Sequence, residues 1–196
     1  MSSSEKSEVP IYLHHTAIKT RDIETCIQFY SLFGFEVDTK FRAGSERAAW
    51  LSHDHGTRLE VLELPTSLLN EPSGMKRRAL DLMQHPQLLG FNHLALDVTE
   101  SMRVNEVTEL QGWLDRLNET SLTTFGKTLR IAVPPRQQII GNGVYQLAFL
   151  YDADGALVEL IRKQCILEQP MDDGWAPWDA NDVQLSLDFD LENSKE

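Results

Sequence analysis

Two histidines and two glutamates occupy repeated positions in the chain and could do chemistry together. His15 lies in the segment Leu-His-His-Thr-Ala-Ile and His93 in Phe-Asn-His-Leu-Ala-Leu, so each precedes an alanine by two residues. Glu60 and Glu159 each end a Gly-x-x-x-Glu segment. Two imidazoles and two carboxylates suit a divalent ion and leave coordination positions for water or a chelating substrate. The pattern predicts a metal site formed by these four side chains.

The elements around these residues repeat as well. Each half of the chain reads as a strand, a helix and three strands. The predicted elements are, in order, 11–18, 23–33, 35–42, 46–52 and 57–63, then 91–98, 105–118, 128–133, 144–151 and 156–162. Each histidine then lies on the first strand of its half and each glutamate on the last. Because a buried charge without a counter-ion is costly, this repeated placement in apolar strands favours metal ligation over coincidence.

The repeat divides the chain into five predicted parts. They are a disordered N-terminus at 1–10, a first βαβββ module at 11–64, a linker with a short helix at 65–89, a second βαβββ module at 90–163 and an acidic C-terminal tail at 164–196. The linker helix is expected over 75–84. In the tail, apolar and polar residues alternate from Val183 to Leu191, a strand pattern within a composition typical of disorder.

The composition of the chain and the distribution of its charge argue against several classes of function. The chain has 196 residues, of which 41% are hydrophobic and 24% charged, with two cysteines, Cys26 and Cys165. Their spacing fits neither a disulfide framework nor a zinc cluster, and no apolar run is long enough for a membrane span, so a cytoplasmic location is expected. Much of the net charge of −12 comes from nine acidic residues between Glu168 and Glu196, which argues against binding to nucleic acid or to an anionic membrane.

The repeated unit resembles the vicinal oxygen chelate superfamily, which includes glyoxalase I, methylmalonyl-CoA epimerase, extradiol ring-cleaving dioxygenases and bleomycin-resistance proteins. The resemblance covers about residues 11–163 and rests on HTAI and FYSLFGF in the first module and on HLAL and AFLYDADGALVEL in the second. It implies an α+β fold in which two tandem βαβββ modules form an open sheet cup around a metal site. Carried over by position, the ligands are His15, Glu60, His93 and Glu159. His14 is set aside because successive strand residues face opposite sides of a sheet.

The motifs come closest to those of glyoxalase I-like proteins, which implies a metal-dependent lyase or isomerase. In such a reaction a carboxylate removes a proton next to a carbonyl, and the metal stabilises the enediolate that forms. Glu159 matches the family's catalytic glutamate, and Glu60 is the second candidate base. The implied cofactor is a divalent ion (Ni, Zn, Co, Mn or Fe). The implied partners are a small molecule with vicinal oxygens and a second copy of the chain in a homodimer.

Two alternatives stay open. An extradiol-type dioxygenase uses two histidines and one carboxylate on Fe(II), but the stretch 141–145 lacks the acid–base histidine that those enzymes place before a Leu-Tyr pair. A metal-free binding protein of the bleomycin-resistance type uses the same cup as a crevice and generally lacks the four ligands.

One residue departs from the glyoxalase I pattern, since Asn92 stands before His93 where glyoxalase I usually has histidine. Four aromatic residues are predicted to pack the core: Phe29, Tyr30, Trp50 and Trp113.

Overall fold

The computed structural model describes residues 12–54, 56–69, 83–85, 87 and 89–168. Within these residues the chain forms two strand–helix–three-strand modules in tandem. The first contains β1 (Thr16–Thr20), α1 (Ile23–Ser31), β2 (Glu36–Ala43), β3 (Glu46–Ser52) and β4 (Arg58–Glu63), followed by the short helix α2 (Thr66–Leu69). The second contains β5 (His93–Asp97), α3 (Thr99–Val104), α4 (Leu110–Phe125), β6 (Arg130–Ile140), β7 (Gly143–Tyr151) and β8 (Leu157–Ile166).

Each module builds one four-stranded mixed sheet. The strand orders are β1-β4-β3-β2 and β5-β8-β7-β6. In both sheets the first strand pairs in parallel with the last, and the other pairings are antiparallel. The two sheets are not closed on themselves, which is consistent with an open cup. The predicted α+β fold with tandem βαβββ modules is therefore confirmed.

Helix α1 shows why the helices lie on one face of the sheets. Asp22 caps its N-terminus, since the Oδ1 atom accepts the backbone N–H groups of Glu24 and Thr25 at 3.1 and 3.2 Å. The side chains that recur at helical spacing are buried, namely Ile23, Cys26, Phe29 and Tyr30. Burial also raises the pKa of the Cys26 thiol, so this cysteine is an apolar core residue rather than a nucleophile.

The two modules share one hydrophobic core. It contains residues of α1 and α4 together with one face of each sheet, for example Leu51, Leu59 and Val61 from the first sheet and Leu150, Val158 and Leu160 from the second. The rings of Phe33 and Trp113 meet across the junction with 6.3 Å between centroids. The core positions predicted for Phe29, Tyr30 and Trp113 are confirmed.

A buried carboxylate in the β7–β8 turn also joins the modules. Asp154 is 8% exposed and accepts hydrogen bonds from the hydroxyl of Thr20 at 2.5 Å and from Arg21 Nε at 2.7 Å. Its neighbour Asp152 accepts three backbone N–H groups of its own turn, and burial raises the pKa of its carboxyl group. The modules are thus held by polar contacts as well as by apolar packing.

The second helix differs from its prediction. A helix was expected over 105–118, whereas the structure has α3 ending at Val104 and α4 starting at Leu110. Asn105 follows the last turn of α3. The N–H of Leu110 is satisfied by Gln146 Oε1 at 3.0 Å, a partner from β7 that local sequence does not reveal.

Three other predictions fall wholly or largely on residues outside the described ones: the disordered stretch 1–10, the linker helix at 75–84 and the alternating stretch 183–191. Of the linker helix, only residues 83 and 84 are described, and they lie in a turn. Among the helices that the structure describes, none combines the length and apolar character needed to cross a bilayer.

Candidate metal centre

The candidate ligands lie at equivalent positions of the two modules, although His15, expected on the first strand, directly precedes β1, whereas His93 begins β5. In each sheet, the parallel pairing of the first and last strands sets an alanine opposite the glutamate. The paired residues are Ala17 and Glu60 in the first sheet, and Ala95 and Glu159 in the second. Since His15 and His93 each lie two residues before that alanine, His15 is the register equivalent of His93, and His14 is not.

Each histidine lies beside the glutamate of its own module. His15 Nε2 is 3.3 Å from Glu60 Oε2, and His93 Nε2 is 2.9 Å from Glu159 Oε2. The histidine side chains are 32% and 31% exposed, and those of the glutamates 17% and 13%. Two adjacent ligands that are each about 2.1 Å from one ion are themselves roughly 3 Å apart. Each pair therefore fits two adjacent coordination positions of one divalent ion.

The four side chains do not gather in one place within a single chain. No group of three or more His, Cys, Asp or Glu side chains that could hold an ion occurs among the described residues. The reason is the strand alternation, since Leu59 and Val61 point into the shared core and Glu60, between them, points away from it. The same holds for Glu159, between Val158 and Leu160. We call His15 with Glu60 the first half-site, and His93 with Glu159 the second half-site.

Trp50 supports the first half-site. It lies opposite Glu60 on β3, and its indole Nε1 donates a hydrogen bond to Glu60 Oε1 at 3.1 Å. The prediction that Trp50 packs the core is wrong, because its neighbours Ala49 and Leu51 take the core face of this strand. The sequence offers no signal for this, because residues 48–51 form an uninterrupted apolar run.

Arg58 and His14 form a second layer around the first half-site. The Arg58 guanidinium lies 4.9 Å from the centroid of the Trp50 ring. Its Nη1 is 3.1 Å from His14 Nε2, and its Nη2 donates to Asp38 Oδ2 at 3.2 Å. His14 Nδ1 in turn lies 2.8 Å from Nδ1 of His15. Sequence analysis missed this role of Arg58 and His14 because it depends on neighbours across the sheet.

The second half-site is simpler and more apolar. Asn92 Oδ1 lies 2.7 Å from His93 Nδ1 and orients that ring. The ring of Phe149 meets the His93 ring edge to face, with 5.3 Å between centroids and 88° between planes. Phe149 lies opposite Glu159, in the position that Trp50 has opposite Glu60, but it offers no N–H to the carboxylate.

Comparison with known proteins agrees with this duplicated architecture. The family model of the Glyoxalase/Bleomycin resistance protein/Dioxygenase superfamily matches residues 12–160. The chain belongs to this superfamily. Many of its members are enzymes, and they often use divalent metals. No curated protein sequence matches the chain.

Solved structures share the fold at low sequence identity. A glyoxalase family protein from Enterococcus faecalis is 20% identical, with a TM-score of 0.51, over 77% of this chain and 97% of that one. A glyoxalase family protein from Bacillus cereus is 15% identical, with a TM-score of 0.52, over 82% and 99% of the two chains. A glyoxalase/bleomycin resistance protein/dioxygenase domain from Frankia sp. is 16% identical, with a TM-score of 0.51, over 80% and 100%. These likenesses concern the fold alone.

Proposed function

We propose that the protein is a metal-dependent lyase or isomerase of the glyoxalase I type, acting on a small molecule with two neighbouring oxygens. The observation that carries this proposal is the duplicated His–Glu pair at equivalent positions of the two modules. Membership of a superfamily that is rich in metal-dependent enzymes supports it.

The complete ligand set forms between two copies of the chain. In this arrangement His15 and Glu60 of one copy meet the second half-site of its partner around one ion. The orientation of the half-sites supports this, because both lie on sheet faces that point away from the shared core of their own chain. A two-fold axis then creates two equivalent centres from two incomplete ones. When bound, the ion polarises the two substrate oxygens and stabilises the negative charge that develops on them.

The chain's own residues divide the remaining work. Glu159 takes the proton from the carbon next to the substrate carbonyl and returns it to the neighbouring carbon. Trp50 holds one oxygen of Glu60 through its indole N–H, which leaves Glu60 better suited to ligation than to proton transfer. The ring of Phe149 contacts the His93 ring and gives that side of the second half-site an apolar surface.

Metal analysis combined with a substrate panel tests the proposal. The full chain is purified without added metal, its metal content is measured, and the metal is then removed by a chelator and restored. The panel consists of 2-oxoaldehyde–thiol adducts, 2-methylmalonyl thioesters and catechols. We expect metal-dependent isomerisation of one of the first two classes without oxygen consumption. The His15→Gln variant should lose metal, whereas the His85→Gln variant, which changes a histidine outside both half-sites, should not.

Two results would overturn the proposal. Oxygen uptake with a catechol would identify a dioxygenase instead. A chain that retains no metal, and that does not respond to added metal in any assay, would be a binding protein of the metal-free type.

A further inference from the structure

A cavity of about 500 Å³ lies between the two modules, apart from both half-sites. Its lining residues come from α1 of the first module and from the C-terminal end of α4, the stretch 126–130 and the β7–β8 turn of the second. None of the four candidate metal ligands lines it. Its volume falls within the roughly 300–1,000 Å³ of typical ligand pockets. We propose that this inter-module cavity binds a small carboxylate with an apolar body.

The apolar body is accommodated by the inner side chains of the inter-module cavity. Phe29 of α1 is buried, and Leu32, Phe125 and Leu129 are half-buried. These four side chains give the cavity an apolar inner surface, which favours the burial of an apolar group. A purely polar ligand would leave this surface without a partner.

Two cations with unused N–H groups attract the carboxylate. Lys127 Nζ donates to Thr25 Oγ1 at 2.9 Å and to Gln28 Oε1 at 3.3 Å, which leaves one of its three N–H groups. Arg130 Nη2 donates to the backbone carbonyl of Asp152 at 2.9 Å, and this is one use of a group with five N–H donors. Neither cation forms an ion pair with another described residue. Both residues are exposed, so the carboxylate lies where the cavity opens to solvent.

The acidic side chain that lines the cavity among the described residues does not neutralise these cations. Asp152 Oδ1 accepts the backbone N–H groups of residues 154, 155 and 156 at 2.8–2.9 Å. The hydroxyl of Tyr30 donates to its Oδ2 at 3.4 Å. Because this carboxylate is engaged by its own turn and by α1, an incoming carboxylate meets two cations that still need a counter-ion.

A buried hydroxyl gives a second, independent sign of a polar ligand group. Ser121 is 4% exposed and lines the cavity, and its hydroxyl makes no hydrogen bond to another described residue. Thr120 and Thr123, its neighbours on α4, do bond back to the carbonyls of Arg116 and Glu119. A buried hydroxyl without a partner costs free energy. A ligand oxygen in the cavity would satisfy it.

The two cations are held in place by both modules. The bonds from Lys127 to Thr25 and Gln28 run from the second module to the first. The Arg130 guanidinium lies 5.2 Å from the centroid of the Tyr151 ring. The carboxylate site is therefore formed only when the modules are packed together.

Calorimetric titration with octanoate tests the proposal. Chelator-treated full-length protein is used, so that the result does not depend on the metal centre or on the function proposed above. Octanol has the same apolar body without the charge, and acetate has the charge without the body. We expect one octanoate per chain, bound at least about tenfold more tightly than either. Equal affinity for octanoate and octanol, equal affinity for octanoate and acetate, or no binding of octanoate would overturn the proposal.

Substitutions and NMR locate the octanoate. Lys127→Gln keeps a donor for Thr25 and removes the charge, and this variant and Arg130→Gln should each weaken octanoate binding about tenfold. Arg103→Gln, which changes an exposed arginine outside the cavity, is the matched control and should have no effect. In ¹⁵N spectra of the wild type, octanoate should shift the amides of residues 126–130. Amide shifts confined to the two half-sites, or unchanged affinity in both charge variants, would contradict the assignment.

Discussion

The two half-sites have the same backbone and different surroundings. In both, a histidine at the start of the first strand or directly before it lies beside a glutamate on the last strand, and an aromatic residue of the third strand lies opposite that glutamate. In the first half-site the aromatic residue is Trp50, which bonds the carboxylate and lies under Arg58. In the second it is Phe149, which contacts the histidine ring and has no side-chain donor for a hydrogen bond to the carboxylate.

The difference indicates how a repeated fold can give two carboxylates separate tasks. The strand register, which depends on backbone pairing and core packing, is the same in both modules. The side chains that surround the two His–Glu pairs are not fixed by this register and differ between the modules. Under the proposed function, the N–H donor beside Glu60 favours its role as a metal ligand, and the apolar ring beside the second half-site favours the role of Glu159 as the base.

The largest expected effect separates the two glutamates. Glu159→Gln should lower turnover about 10³-fold while keeping most of the metal affinity, because an amide oxygen can ligate but cannot accept the proton. Glu60→Gln also keeps an amide oxygen for ligation, and because Glu60 is not the proposed base, this variant should retain most of its turnover at saturating metal. Steady-state kinetics across a metal titration compares them. Equal losses at saturating metal would show that the two half-sites do not divide the work.

A smaller effect is expected from making the first half-site resemble the second. Trp50→Phe removes the N–H that orients Glu60 and should weaken metal binding about tenfold. Phe149→Leu, the control at the matching position, keeps an apolar side chain and should leave the metal affinity nearly unchanged. Competition with a chromophoric chelator measures both variants. If Trp50→Phe binds metal as tightly as the wild type, the indole has no positioning role.

The smallest expected effect is on the free energy of unfolding, through the side-chain oxygen that accepts the first N–H of the main helix in each module. Glu63 Oε1 accepts the N–H of Ile23 at 3.2 Å, and Gln146 Oε1 accepts that of Leu110 at 3.0 Å. Glu63→Ala and Gln146→Ala should each lower the free energy of unfolding by about 1 kcal/mol at neutral pH. Denaturant unfolding over a series of pH values measures the losses.

The two losses should differ in their pH dependence. The hydrogen bond from Arg47 holds the pKa of Glu63 below its ordinary value of 4.5. A lowered folded-state pKa means that the stabilisation is complete above the ordinary value and disappears as the pH falls through the folded one. The Glu63→Ala loss should therefore shrink in acid, whereas the Gln146→Ala loss should not, since an amide does not titrate. Parallel behaviour of the two variants would contradict this reading of Glu63.

The sequence predicted the order of the strands and the equivalence of His15 with His93, because both depend on period-two alternation and on a repeat within one chain. The bounds were less accurate, since β1 begins at Thr16 rather than at residue 11, and β6 continues to Ile140 rather than ending at residue 133. It misplaced the second helix because the N-terminus of α4 is satisfied by Gln146, a residue far along the chain. The sequence also could not predict the position of Arg58, since it depends on cross-sheet contacts with Trp50 and His14. That the half-sites lie apart in one chain follows from the packing of one face of each sheet into a single shared core, a contact between modules that local patterns do not encode.

Mixing two defective chains tests the central claim, that a first and a second half-site from different copies share one ion. One chain carries His15→Gln with Glu60→Gln, the other carries His93→Gln with Glu159→Gln, and distinct tags isolate the mixed dimer. Only that dimer contains one intact His₂Glu₂ set if the centre lies between copies. We predict tight binding of one Zn²⁺ per mixed dimer and none by either parent. A mixed dimer that binds no Zn²⁺, beside a wild type that does, would contradict the account.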